Sequence, residues 1–199
     1  MGAFILAVIA ICAGFLGALL GLGGGVILVP GALFISSATD WISPLTPQSA
    51  VGLSVMMMIF TGLASTISYM KSGFVDYKAG LLFFAGAAPG AIVGAMLNGR
   101  FNVDSFNLFF GVLLIVLATI MLIRDYMKPI DFFVKRAKTR TFTDKQGATY
   151  TYGYPISIAL ILSFVVGTLS GMFGIGGGAL LVPALLVLFH FPPHIAVAT

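Results

Sequence analysis

Two runs of glycine are the residues of this sequence whose type and spacing point most directly to chemistry. Gly21–Gly25 precedes an apolar stretch that ends at Pro30, and Gly174–Gly178 precedes another that ends at Pro183. The first N–H groups of a helix lack an internal acceptor, and the helix dipole adds about half a positive charge there. Each run therefore predicts an anion site built from backbone amides. The candidates are Gly23, Gly24, Gly25, Val26, Gly176, Gly177, Gly178 and Ala179. We also expect Gly24 and Gly177 to require a positive φ and to approach the anion so closely that valine would block it.

Polar side chains inside the apolar segments form a second group of candidates. They are Ser49, Ser54, His194 and Thr199, with Thr61 and Asn98 as further polar residues of the same kind. Helix starts at Pro47, which Thr46 can cap, and at Pro193 would bring two more N-termini to the same site. A structural role is the alternative for each side chain, because serine and threonine in membrane helices commonly bond their own backbone.

The composition is that of a membrane protein. Of 199 residues, 59% are hydrophobic and 8% are charged, with a mean hydropathy of +1.11, whereas a soluble domain carries about 25% charged residues. Seven of the ten Lys and Arg residues fall between Arg124 and Lys145, so the net charge of +4 indicates membrane topology and not nucleic-acid binding. The single cysteine, Cys12, has no partner for an internal disulfide. No residue set typical of a metal, a cofactor or an enzyme is present, so none is predicted.

Apolar segments of crossing length predict an all-α fold. Three clean spans cover 48–70, 79–99 and 103–123, each close to the ~20 residues of one bilayer crossing. Two longer apolar units, 3–36 and 154–190, are interrupted by the glycine runs. The sequence therefore predicts a polytopic helical membrane protein with glycine-broken helices. Gly90 and Gly94, four residues apart, predict a helix-packing face and no chemistry.

The polar stretch at 124–153 has two interpretations. Residues 139–152 alternate around a turn signal at Asp144–Gly147, which predicts a small β-hairpin that could bind a partner. The simpler interpretation is a solvated linker, whose basic run Lys135–Lys138 suits the anionic surface of a membrane.

The two glycine runs also predict an internal duplication. An offset of 153 residues superimposes every glycine of the two runs and both prolines, and Pro47 then matches Pro193 after a change in spacing. The chain divides into a first transmembrane repeat (1–125), a cytoplasmic basic linker (126–153) and the start of a second repeat (154–199). Because the first repeat continues for three spans, we expect about 75 further residues from repeat symmetry.

These motifs resemble those of the sulfite exporter family of TauE/SafE type. The likeness rests on two copies of G-x-G-G-G-x-x-x-V-P, Gly21–Pro30 and Gly174–Pro183, each followed by a proline-started segment containing Ala-Val. It extends over nearly all of the chain except 128–153. The resemblance implies export or uptake of sulfur-containing anions such as sulfite, thiosulfate or organosulfonates.

The charge distribution predicts which loops face the cytoplasm. Lys71 and Lys78 lie in the 71–78 loop and seven basic residues in 124–153, whereas the loops at 37–46 and 100–102 hold Arg100 alone. The 71–78 loop and the 124–153 segment are therefore expected in the cytoplasm. A kink at the glycine run would leave the two repeats parallel. A reversal, which we favour on length, makes the repeats inverted and puts residue 1 outside.

Two classes of function remain open from the sequence. The favoured one is a transporter of the bacterial inner membrane that binds a small anionic substrate and the lipid bilayer, without nucleic acid. Association with further copies of the chain is left open. The alternative is a non-transporting membrane scaffold or subunit whose glycines only pack helices. A cavity at 23–26 would favour the transporter.

Overall fold

The chain folds into a series of apolar helices with a short β-hairpin. This computed structural model describes residues 2–20, 23–38, 44–72, 75–123, 140–143, 149–189 and 191–198. The helices are α1 (Gly2–Leu20), α2 (Gly25–Ala38), α3 (Pro47–Ser72), α4 (Tyr77–Asn98), α5 (Val103–Ile123), α6 (Ile156–Phe173), α7 (Gly177–Phe189) and α8 (Pro193–Ala198). Strands β1 (Arg140–Thr143) and β2 (Thr149–Tyr152) pair antiparallel. The predicted helical membrane fold and the predicted hairpin are confirmed.

Four of the described helices are long and apolar enough to cross a bilayer. They cover Pro47–Lys71, Tyr77–Asn98, Val103–Ile123 and Ile156–Phe173. The three clean spans expected from hydropathy are therefore confirmed to within a few residues. Helices α2 and α7 have only 14 and 13 residues, or about 20 Å of helix each at ~1.5 Å per residue.

The chain reverses direction at each glycine run. Ile9 of α1 lies against Gly31 of α2, and Ala13 of α1 lies against Gly24 just before α2, a pairing that only antiparallel helices can make. At the second run, the ring of Phe189 at the end of α7 lies 6.1 Å from that of Tyr154, just before α6. The glycines therefore produce reversals, as length favoured, and not kinks within one crossing.

Small residues make the α4–α6 pairing unusually close. The contact surface contains Gly86, Gly90 and Gly94 of α4 and Gly167 and Gly171 of α6. A Cβ atom on Gly90 would fall against the carbonyl oxygen of Phe164, and one on Gly94 against that of Thr168. Backbones can come this near only where side chains are absent. The packing face predicted at Gly90 and Gly94 is confirmed, and the two helices run parallel.

The two glycine-broken helix pairs run in opposite directions. The N–H of Leu45 donates to Ser36 Oγ at 3.4 Å where α2 leads into α3. Gln48 Nε2, at the start of α3, donates to the carbonyl oxygens of Asn98 (3.2 Å) and Phe101 (3.0 Å), at the end of α4. Since α1–α2, α2–α3 and α3–α4 are each antiparallel and α4 is parallel to α6, α1 and α6 point opposite ways. This is the arrangement expected of inverted repeats.

The described part of the linker is packed against helices. Tyr152 is 1% exposed, and its hydroxyl donates to Asp76 Oδ2 at 2.6 Å. The Tyr152 ring lies 4.1 Å from that of Phe191, and the Tyr150 ring lies 4.9 Å from that of His194. Strand β2 therefore contacts the start of α4 and the connection from α7 to α8, where a solvated linker was expected.

Asp76 is expected to stabilise this junction. Its Oδ1 accepts from the N–H groups of Lys78 (3.0 Å) and Ala79 (3.3 Å), which caps α4, while Oδ2 accepts from Tyr152. We expect Asp76→Ala to lower the free energy of unfolding by about 2 kcal/mol, because a cap and a buried hydrogen bond are lost together. Thermal unfolding in detergent measures the change. Tyr152→Phe, which keeps the cap, should cost about half as much. Unchanged stability of Asp76→Ala would contradict this account of the junction.

Candidate anion site at the glycine turns

The two glycine turns meet inside the helix bundle. A Cβ atom on Gly25 would fall against the carbonyl oxygen of Gly174. A Cβ atom on Gly23 would lie 3.7 Å from the carbonyl oxygen of Ile175 and 3.9 Å from Cα of Gly176. Turns that are far apart in sequence are therefore in backbone contact, and glycine at Gly25 is what permits it.

Positive φ angles shape the turns. They occur at Gly23 (66°), Gly174 (66°) and Gly176 (90°). Gly174 ends α6 in the left-handed conformation, and its N–H donates to the carbonyl of Ser170 at 2.8 Å, which is a common glycine helix ending. The positive φ expected at Gly24 and Gly177 is therefore wrong. Gly177 is already the first residue of α7, where helical φ is negative.

A cleft of about 300 Å³ lies beside the two turns. Glycines, hydroxyl-bearing side chains and a few apolar residues line it: Gly14, Gly17, Gly23, Gly24, Met58, Thr61, Gly62, Ser65, Tyr69, Gly176, Gly178 and Val197. None of these side chains carries a formal charge. An anion in the cleft would therefore meet backbone amides and hydroxyls in place of a lysine or arginine.

The starts of α2 and α7 adjoin this cleft. The carbonyl of Gly24 accepts from the N–H groups of Ile27 (3.2 Å) and Leu28 (2.9 Å), which are the first bonds of α2. The amides ahead of them have no carbonyl one turn earlier within the helix. Gly178, in the first turn of α7, lines the cleft as well. Two positive helix ends are therefore next to one cavity.

Hydroxyls on one face of α3 form part of the cleft wall. Thr61, Ser65 and Tyr69 follow one another at four-residue intervals, which places them on the same side of a helix. Thr61 Oγ1 donates to the carbonyl of Met57 at 3.1 Å, and Ser65 Oγ to that of Gly62 at 3.0 Å. Thr61 was among the residues expected from the sequence. Ser65 and Tyr69 were not, although their spacing was the available signal.

The eight backbone candidates occupy different places around the turns. Four of them line the cleft: Gly23, Gly24, Gly176 and Gly178. Gly25 lies between the turns, and the Cβ position of Gly177 has no neighbour within 4 Å. Val26 and Ala179 pack in the apolar cluster that includes Phe106 and Phe173, so their side chains stabilise the starts of α2 and α7.

The two serine candidates are used within the protein. Ser49 is exposed, and its Oγ lies 2.9 Å from that of Thr46 in the cap of α3. Ser54 is fully buried and donates to the carbonyl of Val51 at 2.7 Å, with Gly174 packed against it. Neither lines the cleft, because each lies nearer the start of α3 than Met58.

The remaining candidates are also separate from the cleft. His194 lies against Tyr150 of the hairpin, and Thr199 is outside the described residues. Of the four helix starts expected to converge, only those of α2 and α7 adjoin the cleft. The start of α3 is held at the end of α4 by Gln48, and the start of α8 is held at the hairpin.

Asn98 ties two helices together. Its Nδ2 donates to the carbonyl of Met172 at 2.8 Å, which joins α4 to α6. Its buried Oδ1 has no hydrogen-bond partner within the described ranges. Asn98 is not among the residues that line the cleft.

Sequence similarity shows the family to which this chain belongs. The family model described as "Sulfite exporter TauE/SafE" matches residues 6–199. The chain is 45% identical, over its whole length and 72% of the relative's, to "Probable membrane transporter protein YunE" of Bacillus subtilis (strain 168). It is 28% identical to "Probable membrane transporter protein YdhB" of the same strain, over 91% of the chain and 68% of the relative. A "Probable membrane transporter protein" of Xylella fastidiosa (strain 9a5c) is 26% identical over 90% of the chain and 60% of the relative. No solved structure matches. The helices, the paired glycine motifs and these similarities together make the chain a member of the sulfite exporter TauE/SafE family of membrane transporters.

Proposed function

We propose that the protein moves small sulfur-containing oxyanions, such as sulfite, thiosulfate or short organosulfonates, across the bacterial inner membrane. The anion binds in the cleft beside the glycine turns. Membership of a family of membrane transporters supports transport. The observation that supports an oxyanion substrate is the meeting of two glycine turns and two helix starts at a cleft whose described lining residues carry no charged side chain.

The electrostatics of the cleft favour anions over cations. An unpaired ion in a low-dielectric interior is costly, so its charge has to be met by oriented dipoles and hydrogen bonds. The cleft supplies positive helix ends and hydroxyls, and none of its described lining residues is a carboxylate that would attract a cation. Oxyanions suit such a site because their oxygens accept several hydrogen bonds. Backbone donors recognise oxygen geometry more than the central atom, so related oxyanions should compete.

The cleft lies beside the C-terminal half of α3, which ends near Lys71. Its α3 wall extends from Met58 to Tyr69, while an apolar cluster containing Phe106, Phe110 and Phe173 lies near the opposite end of α3. The positive-inside rule puts the Lys71 end in the cytoplasm. We therefore propose that the cleft lies on the cytoplasmic side of the apolar cluster, and that transport requires the apolar side to open.

Competition in vesicles tests the substrate class. With the protein reconstituted into proteoliposomes, labelled sulfite should enter well above the level of protein-free vesicles. An excess of thiosulfate or methanesulfonate should reduce that flux at least about two-fold, because all three anions present similar oxygens to the same donors. Choline and neutral amino acids should leave it unchanged. Transport of a cation with no response to any of these anions would overturn the assignment.

A scaffold without transport activity is the second candidate function. It is favoured by the tight packing of the first turn, where a Cβ atom on Gly24 would lie 2.8 Å from the carbonyl oxygen of Ala13. It does not account for the cleft, which helix packing alone would be expected to fill. Absence of flux for every tested anion, in vesicles that contain folded protein, would favour the scaffold.

A further inference from the structure

The hydroxyl groups of the cleft differ in their availability to a ligand. Thr61 donates to the carbonyl of Met57 and Ser65 to that of Gly62, so both hydroxyl hydrogens are used by the backbone of α3. Such bonds are the usual state of serine and threonine in membrane helices. A ligand would have to displace them before either side chain could donate to it.

Tyr69 is the exception along this wall. Its side chain is half-buried, lines the cleft and makes no hydrogen bond within the part of the chain that the structure describes. A phenol hydroxyl is both a donor and an acceptor. Helical side chains lean toward the N-terminus of their helix, and from Tyr69 that direction leads toward Ser65 and the glycine turns.

We propose that Tyr69 donates a hydrogen bond to the transported anion and sets the affinity of the cytoplasmic end of the cleft for oxyanions. This holds only if the cleft binds an anion as proposed above. The glycine turns would supply backbone donors at one end of the cleft. Tyr69, about 12 Å along α3 from Thr61, would supply a side-chain donor toward the other. A neutral donor suits this place, because a lysine or arginine would hold the anion tightly and slow its release.

Tyr69→Phe tests the inference, since it removes one oxygen atom and keeps the ring. In sulfite uptake by proteoliposomes we expect KM to rise about ten-fold or more, the loss typical of a hydrogen bond to a charged group. Vmax and the melting temperature should change little, because no other described residue depends on the hydroxyl. A purely structural role would instead change the melting temperature.

A matched variant makes the result specific. Tyr77→Phe removes a hydroxyl from an exposed tyrosine that does not line the cleft. It should change KM less than about three-fold. An unchanged KM in Tyr69→Phe, with normal wild-type flux, would refute the role of Tyr69 and leave the proposed function standing. Absence of anion flux in the wild type would overturn the proposed function, and with it the role of Tyr69.

Discussion

Gly90→Val should remove most of the folded protein from the membrane. The Cβ atom alone would fall against the carbonyl oxygen of Phe164 and lie 3.0 Å from the backbone nitrogen of Thr168. Backbone atoms cannot rotate away, so α4 and α6 would have to separate along their shared glycine face. Overpacking typically costs about 1–3 kcal/mol and occasionally more, and a clash of two backbones is expected at or above the upper end, out of a total stability of ~5–15 kcal/mol. The measurement is the yield of monodisperse protein in detergent together with its melting temperature.

Gly111→Val is the matched control for this change. Gly111 lies within a crossing helix, α5, but its Cβ position has no neighbour within 4 Å. A valine side chain there is expected to project into open space, and valine is readily accommodated in a lipid-facing helix. Yield and melting temperature should therefore stay close to those of the wild type. Equal behaviour of the two variants would show that the α4–α6 contact does not depend on glycine.

Gly25→Ala should reduce transport more than alanine at any other glycine of the two turns. The new Cβ atom would meet the carbonyl oxygen of Gly174 and come within 3.2 Å of the carbonyl carbon of Ile175. The two turns would have to move apart, which displaces the helix starts that adjoin the cleft. Misplacing donors by ~1 Å can cost about 100-fold in a positioned site, so we expect sulfite flux to fall at least ten-fold.

Gly177→Ala provides the comparison for Gly25→Ala. Each residue is the first of the short helix after a glycine turn, yet the Cβ position of Gly177 has no atom within 4 Å. The helix propensity of alanine is also more favourable than that of glycine by about 1 kcal/mol. We expect near-normal flux and an equal or higher melting temperature. Normal flux in both variants would show that transport does not depend on the close contact between the two turns.

Much of the fold follows from elementary properties of the sequence. The lengths of the apolar segments predict the spans from Pro47 to Ile123, because a bilayer has a fixed thickness. The glycine runs predict the interruptions, and Pro47 with Thr46 predicts the start of α3, whose cap includes a bond from the N–H of Ser49 to Thr46 Oγ1 at 3.3 Å. Each of these depends on local chemistry alone.

The placement of side chains around the site could not be predicted in the same way. Ser54 and Thr61 are both hydroxyl residues of α3, and only contacts with other helices decide that Ser54 packs on Gly174 while Thr61 lines the cleft. His194 was a candidate for the same site because it follows Pro193, which matches Pro47 in the predicted repeat. In the structure His194 instead lies against Tyr150 of the hairpin. The hairpin is not part of the predicted repeat, so the repeat could not predict this contact. Tertiary contacts between segments distant in sequence settled these points.

Protection of a cysteine in the cleft tests the central claim, that the anion binds beside the glycine turns. Ser65→Cys places a thiol on the cleft wall, and Cys12→Ala removes the exposed native cysteine. Methanesulfonate is the ligand of choice, because sulfite would consume a thiol reagent. At concentrations of sodium methanesulfonate that inhibit sulfite flux, we predict that maleimide labels this cysteine several times more slowly than in sodium chloride. An unchanged labelling rate at those same concentrations would contradict the account and move the anion site elsewhere.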